Sequence, residues 1–259
     1  MRVFLTGATG FVGGNLARGL SGEHELTVLP RASDLRHSID LALLPAHADV
    51  VIHAAGVMGM AATDVNVIGT RHVIDAARAM NAARLVLLST GGVYGPSDQP
   101  LTEEAELAPQ NEYAASKLAA EEIARAAGIR LQVLRLFFPY GPGQRNERLI
   151  PRLIDHVRRG APVTNAARLN PIYIDDLVEW TRRLLEVEHE LTLNIAGAEI
   201  VSVREIVEII GRVLEVTPNV LDESGPSWIG NNSRVAELTG YMPRVSLEEG
   251  LRRTIATIA

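Results

Sequence analysis

Three glycines spaced three apart at the start of the chain narrow its fold more than any other feature. Thr6-Gly7-Ala8-Thr9-Gly10-Phe11-Val12-Gly13 follows a short apolar run, Val3–Thr6, and opens a helical pattern, Phe11–Leu20. Glycines permit a tight strand-to-helix turn and let the backbone approach a pyrophosphate. The helix N-terminus then offers unpaired N–H groups and the positive end of its dipole. The spacing is G-x-x-G-x-x-G rather than G-x-G-x-x-G, yet its place between a strand and a helix suits dinucleotide binding. Further strand-length runs, Leu26–Leu29, Val50–Ala54, Leu85–Ser89 and Leu131–Leu136, alternate with helical patterns at Val65–Met80 and Asn111–Ala127, which stops at Gly128. Strands apolar on both faces between helices predict an α/β fold with a doubly wound parallel sheet, whose ligands bind at the strands' carboxyl ends.

After Pro139-Tyr140-Gly141-Pro142-Gly143 the rhythm changes. Helical patterns at Leu149–Arg159, Asp176–Glu186, Val203–Glu215, Arg234–Leu238 and Leu247–Thr257 are separated by short strands and proline turns. Residues 1–140 are therefore expected to be mainly a dinucleotide-binding domain. Residues 141–259 are expected to be mainly a small C-terminal substrate-binding cap, with some elements returning to the main sheet. Composition sets outer limits. The absence of cysteine excludes thiol catalysis, disulfides and Cys-ligated zinc, and the net charge of −6 argues against a general nucleic-acid or anionic-membrane binder. With neither a signal-like leader nor an apolar run long enough to span a membrane, the expected location is cytoplasmic.

The end of the second strand bears on the cofactor. An acid there would bind the adenosine 2′-hydroxyl, whereas an arginine can pair with a 2′-phosphate. Leu29-Pro30-Arg31-Ala32-Ser33 has no acid in that place, so Arg31 and Ser33 tilt the choice within NAD(P) toward NADP, with Asp34 left as a residue that could fold back to the ribose. Thr90 ends a buried strand at the sheet's carboxyl edge. Tyr113 and Lys117 stand at i and i+4 on one helical face. An ammonium beside a phenol favours the phenolate, so Lys117 would bring Tyr113 toward the working pH range while Thr90 holds a substrate oxygen.

Together these segments resemble the extended short-chain dehydrogenase/reductase family, also called the NAD-dependent epimerase/dehydratase family. The resemblance runs from Val3 to about Leu251 and adds His53-Ala54-Ala55-Gly56, Asn66-Val67-Ile68-Gly69-Thr70, Ser89–Gly95, Tyr140–Gln144, Tyr173–Leu177 and Asn194–Gly197. It implies a Rossmann fold in which Thr90, Tyr113 and Lys117 are catalytic. It also implies cofactor contacts from Gly7, Thr9, Gly10, Phe11, Val12, Gly13, Arg31, Asp40, Leu41, Ala54, Ala55, Gly56, Tyr113, Lys117 and Pro139. Asn66 is then structural, Asp175 and Asp176 are capping residues rather than a metal site, and His53 is a packed residue rather than a base. The family's helices corresponding to Val65–Met80 and Asn111–Ala127 pair in homodimers, which implies a homodimer here.

The departures matter too. Dehydratases of this family carry an acidic pair where this chain has Gly91-Gly92, so 4,6-dehydration is not expected. Phe137-Phe138-Pro139 stands where sugar-nucleotide enzymes carry asparagine, and Leu169-Asn170 where they carry Arg-Asp. For this family the chain is short between Arg31 and Asp40, Gly56 and Asn66, and Pro162 and Asn170. The leading expectation is an epimerase or ketoreductase that transfers hydride at a secondary alcohol or ketone of a sugar nucleotide. The alternatives are a reductase of a smaller, non-nucleotide carbonyl compound and, outside enzymes, a dinucleotide-sensing protein.

Overall fold

Five of the apolar runs become neighbouring strands of one sheet. In the computed structural model, which describes residues 1–30, 33–59, 63–164, 167–221 and 225–258, these strands are β1 (Arg2–Thr6), β2 (Glu25–Val28), β3 (Val50–His53), β4 (Arg84–Thr90) and β5 (Arg130–Leu136). Adding β6 (Leu191–Ile195) gives the order β2-β1-β3-β4-β5-β6, and the four pairings from β2 to β5 are parallel. The chain leaves β1 for β2 on one side and then returns to β3 on the other. The strand order thus reverses between β1 and β3, where open α/β sheets form their ligand crevice.

Helices α1 (Phe11–Leu20), α2 (Gly69–Ala79) and α3 (Glu112–Arg125) connect these strands. Phe4, Val51, Leu85, Leu87 and Val133 form one apolar cluster with Val73, Ile74, Ala77 and Met80 from α2 and its end. Each large side chain buried in this way contributes about 1.5–3 kcal/mol. Asn111 caps α3 by accepting from the Ala114 amide at 2.9 Å, and Gly128, with φ +68°, sits just beyond its end. Where one helix is expected over Val65–Met80, the structure instead has a wide π turn, Asp64–Ile68, before α2. Within that turn the buried Asn66 side chain bonds both backbone groups of Val57 and the Ser116 hydroxyl, at 2.9–3.0 Å.

All of these elements except the last two residues of β6 belong to one compact unit, Met1–Gly95, Glu106–Leu136 and Val178–Leu193. A second unit comprises Pro96–Ala105, Phe137–Leu177 and Asn194–Ala259. Its four-stranded sheet has the order Val201–Ser202, Arg168–Leu169, Trp228–Gly230, Ser97–Leu101. Helices Leu149–Arg158, Val203–Leu214, Ser233–Thr239 and Leu247–Ile255 also belong to it. Among the described residues no helix is long and apolar enough to cross a membrane.

Candidate active site

The glycine turn is compact because its backbone has no room for side chains. Gly7 has φ +78°, and a Cβ there would stand 2.4 Å from the Ala55 nitrogen and 2.6 Å from the Ala54 carbonyl carbon. A Cβ on Gly13 would lie 2.2 Å from the Gly7 oxygen. Close approach therefore locks the turn against residues 54 and 55, the stretch just past β3. Gly10 is the N-cap of α1 and supplies no side-chain cap, and the first turn of that helix, which begins with Phe11, Val12 and Gly13, has no acidic residue. Such an end is ready for an anion. Gly10 and Thr9 are exposed there, while Phe11 and Val12 are half-buried. A tight, glycine-rich turn at an uncapped helix N-terminus fits the pyrophosphate of a dinucleotide.

Gly56 carries the same stretch to the lysine. A Cβ on Gly56 would lie 3.2 Å from Asn66 Oδ1 and 3.8 Å from Lys117 Nζ, so the glycine keeps space open beside the amine. Lys117 is buried, and burial pulls its pKa down to about 8 while the Glu121 carboxylate opposes the shift. Of the 25 lysine and arginine side chains in this protein, Lys117 alone is lysine. Arginine supplies fixed charge, but lysine can give up a proton within an accessible pH range. The only lysine of the sequence thus stands at i+4 to Tyr113 on α3, a compositional signal that motif reading passes over.

Thr90 ends β4, and its hydroxyl oxygen accepts from the Gly92 amide at 3.1 Å. A Cβ on Gly92 would lie 3.4 Å from Thr90 Oγ1 and 3.6 Å from the Ala114 Cβ, so Thr90 lies close to the first turn of α3, which carries Tyr113. The structure therefore brings together Gly7, Gly13, Ala54, Ala55, Gly56, Thr90 and the helix bearing Tyr113 and Lys117.

His53 is fully buried between two threonines. Its Nδ1 lies 2.8 Å from Thr6 Oγ1 and its Nε2 lies 3.2 Å from Thr70 Oγ1. Thr70 donates its proton to the Asn66 carbonyl at 2.6 Å, so it can only accept from histidine. Nε2 therefore carries the imidazole proton and Nδ1 accepts from Thr6. Burial, and then the charge on Lys117, lower the His53 pKa to about 3. A neutral, doubly bonded imidazole is structural, as expected for a packed residue.

Other expected positions are more scattered. Asp40 accepts from the Ala42 amide at 2.9 Å and starts a short 3-10 turn, and Leu41 is 69% exposed. Asp34 is taken by Arg36, which meets both carboxylate oxygens at 2.6–3.0 Å, so the side chain left as a ribose ligand is already paired. Arg31 lies outside the described residues. Pro139 belongs to the second unit, where its carbonyl accepts from Gln144 at 2.6 Å.

The departures from the family pattern are also accounted for within the second unit. Asn170 is buried and spent on backbone, donating to the Gly197 and Gly230 carbonyls and accepting from the Gly230 amide. Phe137 is buried with its ring under Gly230, and Phe138 holds a left-handed φ of +46°, which costs a bulky residue free energy. Asp176 accepts from the Tyr241 hydroxyl at 2.5 Å and from the amides of Arg244 and Val245. Its carboxylate is consumed in fixing that loop, and among the described residues no cluster of His, Asp or Glu could hold a metal ion.

Comparison with known proteins follows this geometry. The NAD dependent epimerase/dehydratase family matches residues 3–196. GDP-6-deoxy-D-mannose reductase of Pseudomonas aeruginosa is 28% identical over 98% of this chain and 96% of its own length. The UDP-glucuronic acid 4-epimerase of Bacillus cereus in complex with NAD shares the fold with a TM-score of 0.90 at 23% identity, covering 99% of this chain and 96% of that one. RMD from Pseudomonas aeruginosa complexed with NADPH superposes with a TM-score of 0.86 at 25% identity, over 99% and 98% of the two chains.

Proposed function

The chain belongs to the NAD-dependent epimerase/dehydratase family, and from that premise we propose that it transfers hydride at a secondary alcohol or ketone carbon of a sugar nucleotide. The observation that supports this reading is that Gly92 lies against both Thr90 and the first turn of α3, the helix carrying Tyr113 and Lys117, while Gly56 lies beside the Lys117 amine. The turn, with residues 54–56, would hold NAD(P), whose nicotinamide supplies or accepts the hydride. Thr90 keeps its oxygen on the Gly92 amide and can offer its proton to a substrate oxygen. Tyr113 exchanges the proton of that oxygen, and Lys117 stabilises the phenolate. Glycines at 91 and 92 provide no carboxyl group for an elimination, so epimerisation or simple reduction is favoured over dehydration.

The test is Tyr113→Phe. Cofactor should still bind, while turnover falls at least about 100-fold; retained turnover sinks the reading. Asn170, spent on backbone, and the aromatic Phe138 favour a second reading, in which the substrate is a smaller carbonyl compound without a nucleotide. Thermal shift with nucleoside diphosphates separates the two, because a ligand of the folded state raises its apparent stability. Cofactor preference is proposed to lean to NADP, since Arg36 already occupies Asp34, the acid that could have bound a ribose 2′-hydroxyl, and the segment carries Arg31. Arg31→Ala should weaken NADPH binding more than NADH binding, and equal losses would refute the preference. Tight retention of NAD through purification would mark an epimerase, which restores its cofactor in each cycle. A homodimer and a cytoplasmic location complete the proposal.

A further inference from the structure

One turn beyond Lys117 on α3, the buried carboxylate of Glu121 stands at the centre of a polar cluster that hydride transfer does not require. Ser89, the neighbour of Thr90, donates to its Oε1 at 2.5 Å. Arg135 of β5 donates to Oε1 at 3.2 Å and to Oε2 at 2.8 Å, and Arg125 adds bonds to Oε2 at 3.2 and 3.3 Å. Behind it, Arg135 donates to the Tyr94 hydroxyl at 2.6 Å and stacks 4.8 Å over the same ring. Ser89 and Arg135 are register partners on adjacent strands, so the cluster is built into the sheet beside Thr90.

We propose that Glu121, clamped by Ser89 and Arg135, is a positioning residue that keeps Lys117 charged beside Tyr113. The charge acting on Lys117 is that of Glu121 from its own helix, and the nearby His53 of β3 is held neutral by burial and by Lys117. Arg135, Ser89 and Arg125 act on Glu121. Burial alone would push the amine further toward its neutral form, and a neutral amine gives a phenolate no support. Burial also works against the Glu121 carboxylate, but the bonds and charge of Arg135, with Ser89 and Arg125, outweigh it and hold the group below its ordinary value. Glu121 is thereby a fixed anion one helical turn from the amine, and an isolated buried carboxyl would not be.

This inference rests on the proposed role of Tyr113 and Lys117, yet it can be tested without substrate. Because Lys117 is the only lysine, incorporation of lysine carbon-13 labelled at the ε position gives one side-chain resonance, whose pH titration reports this amine alone. The wild-type midpoint is expected at about 8. In Glu121→Gln it should fall to about 7 or lower, and Glu121→Asp should restore much of the loss. The alkaline limb of cofactor-linked turnover should move with it. Should Glu121→Gln fail to fold because Arg135 is left unpaired, Glu121→Gln/Arg135→Met removes both charges and is expected to give the same displaced midpoint. A midpoint that stays at about 8 in either folded variant overturns the proposal and leaves the pair a purely structural one. A displaced midpoint in a protein that turns over no carbonyl substrate would sink the proposed activity and spare this inference.

Discussion

At the amino edge of the main sheet β4 begins with Arg84, and at the carboxyl edge β5 nears its end with Arg135. Both guanidiniums are buried, but their partners differ in kind. Arg84 donates to the carbonyls of Leu185, at 2.6 Å, and Val187, and Gln132 on the neighbouring strand joins it by donating to Val187 at 2.6 Å. Its hydrogen bonds go to peptide carbonyls, while the charges of Glu188, Arg130 and Glu186 act on it without bonding it. Arg135 is met by a carboxylate, a phenol and its ring, within a cluster that reaches Lys117 through Glu121. The same strands thus bond a buried guanidinium to backbone at one end and to a buried carboxylate at the other.

Substitutions at the two edges should therefore fail in different ways. The largest effect is expected at the carboxyl edge from Gly7→Ala, whose new Cβ would meet the Ala55 backbone and whose φ of +78° disfavours alanine. NAD(P) affinity measured by calorimetry should fall about 100-fold or more, in line with the cost of misplacing a site by an ångström. Unchanged affinity would remove the glycine turn from the cofactor site. At the amino edge, Arg84→Met should lower unfolding free energy in urea by about 1–3 kcal/mol through the carbonyls it leaves unbonded. The pH profile of turnover should not move, and a displaced profile would break the separation of the two edges. The third effect is a slope, slight near neutral pH. His53 binds its proton at about 3 when folded and near its ordinary value when unfolded, so unfolding takes up a proton between them. Wild-type stability should consequently fall as pH drops from about 6.5 toward 3, by about 1.4 kcal/mol per unit from this group alone. His53→Gln should lack that component of the slope.

The carboxyl edge was the more legible of the two. The five sheet strands from β1 to β5 fall within one or two residues of the apolar runs that predict them, and α1 matches its pattern at both ends, because burial on both faces leaves a strong local signal. The glycines could be read for the same reason, since only a close backbone approach demands them. Ser97–Leu101 could not: Ser-Asp-Gln-Pro-Leu has no strand pattern and pairs only because Trp228–Gly230 reaches it across the sequence. Arg84 has the local look of a surface residue, and its partners lie about a hundred positions away. Glu121 and Arg135 are closer in sequence, but nothing in either segment marks one as the other's counterion. The π turn at Asp64–Ile68 was hidden because Asn66 satisfies Val57 and Ser116 only in three dimensions. Lys117 was readable twice over, by motif and by its solitude in composition.

That solitude, combined with burial in α3, gives the protein a built-in reporter of its own opening. A protease that cuts only after lysine has one peptide bond to attack in this chain, between residues 117 and 118, and the folded helix withholds it. Cleavage into just two fragments, 1–117 and 118–259, would then count exposures of α3 and nothing else. Its rate across a denaturant series would distinguish local opening of α3 from collapse of the whole sheet. The side chain proposed to sustain the chemistry thus doubles as the point where loss of the fold can be timed.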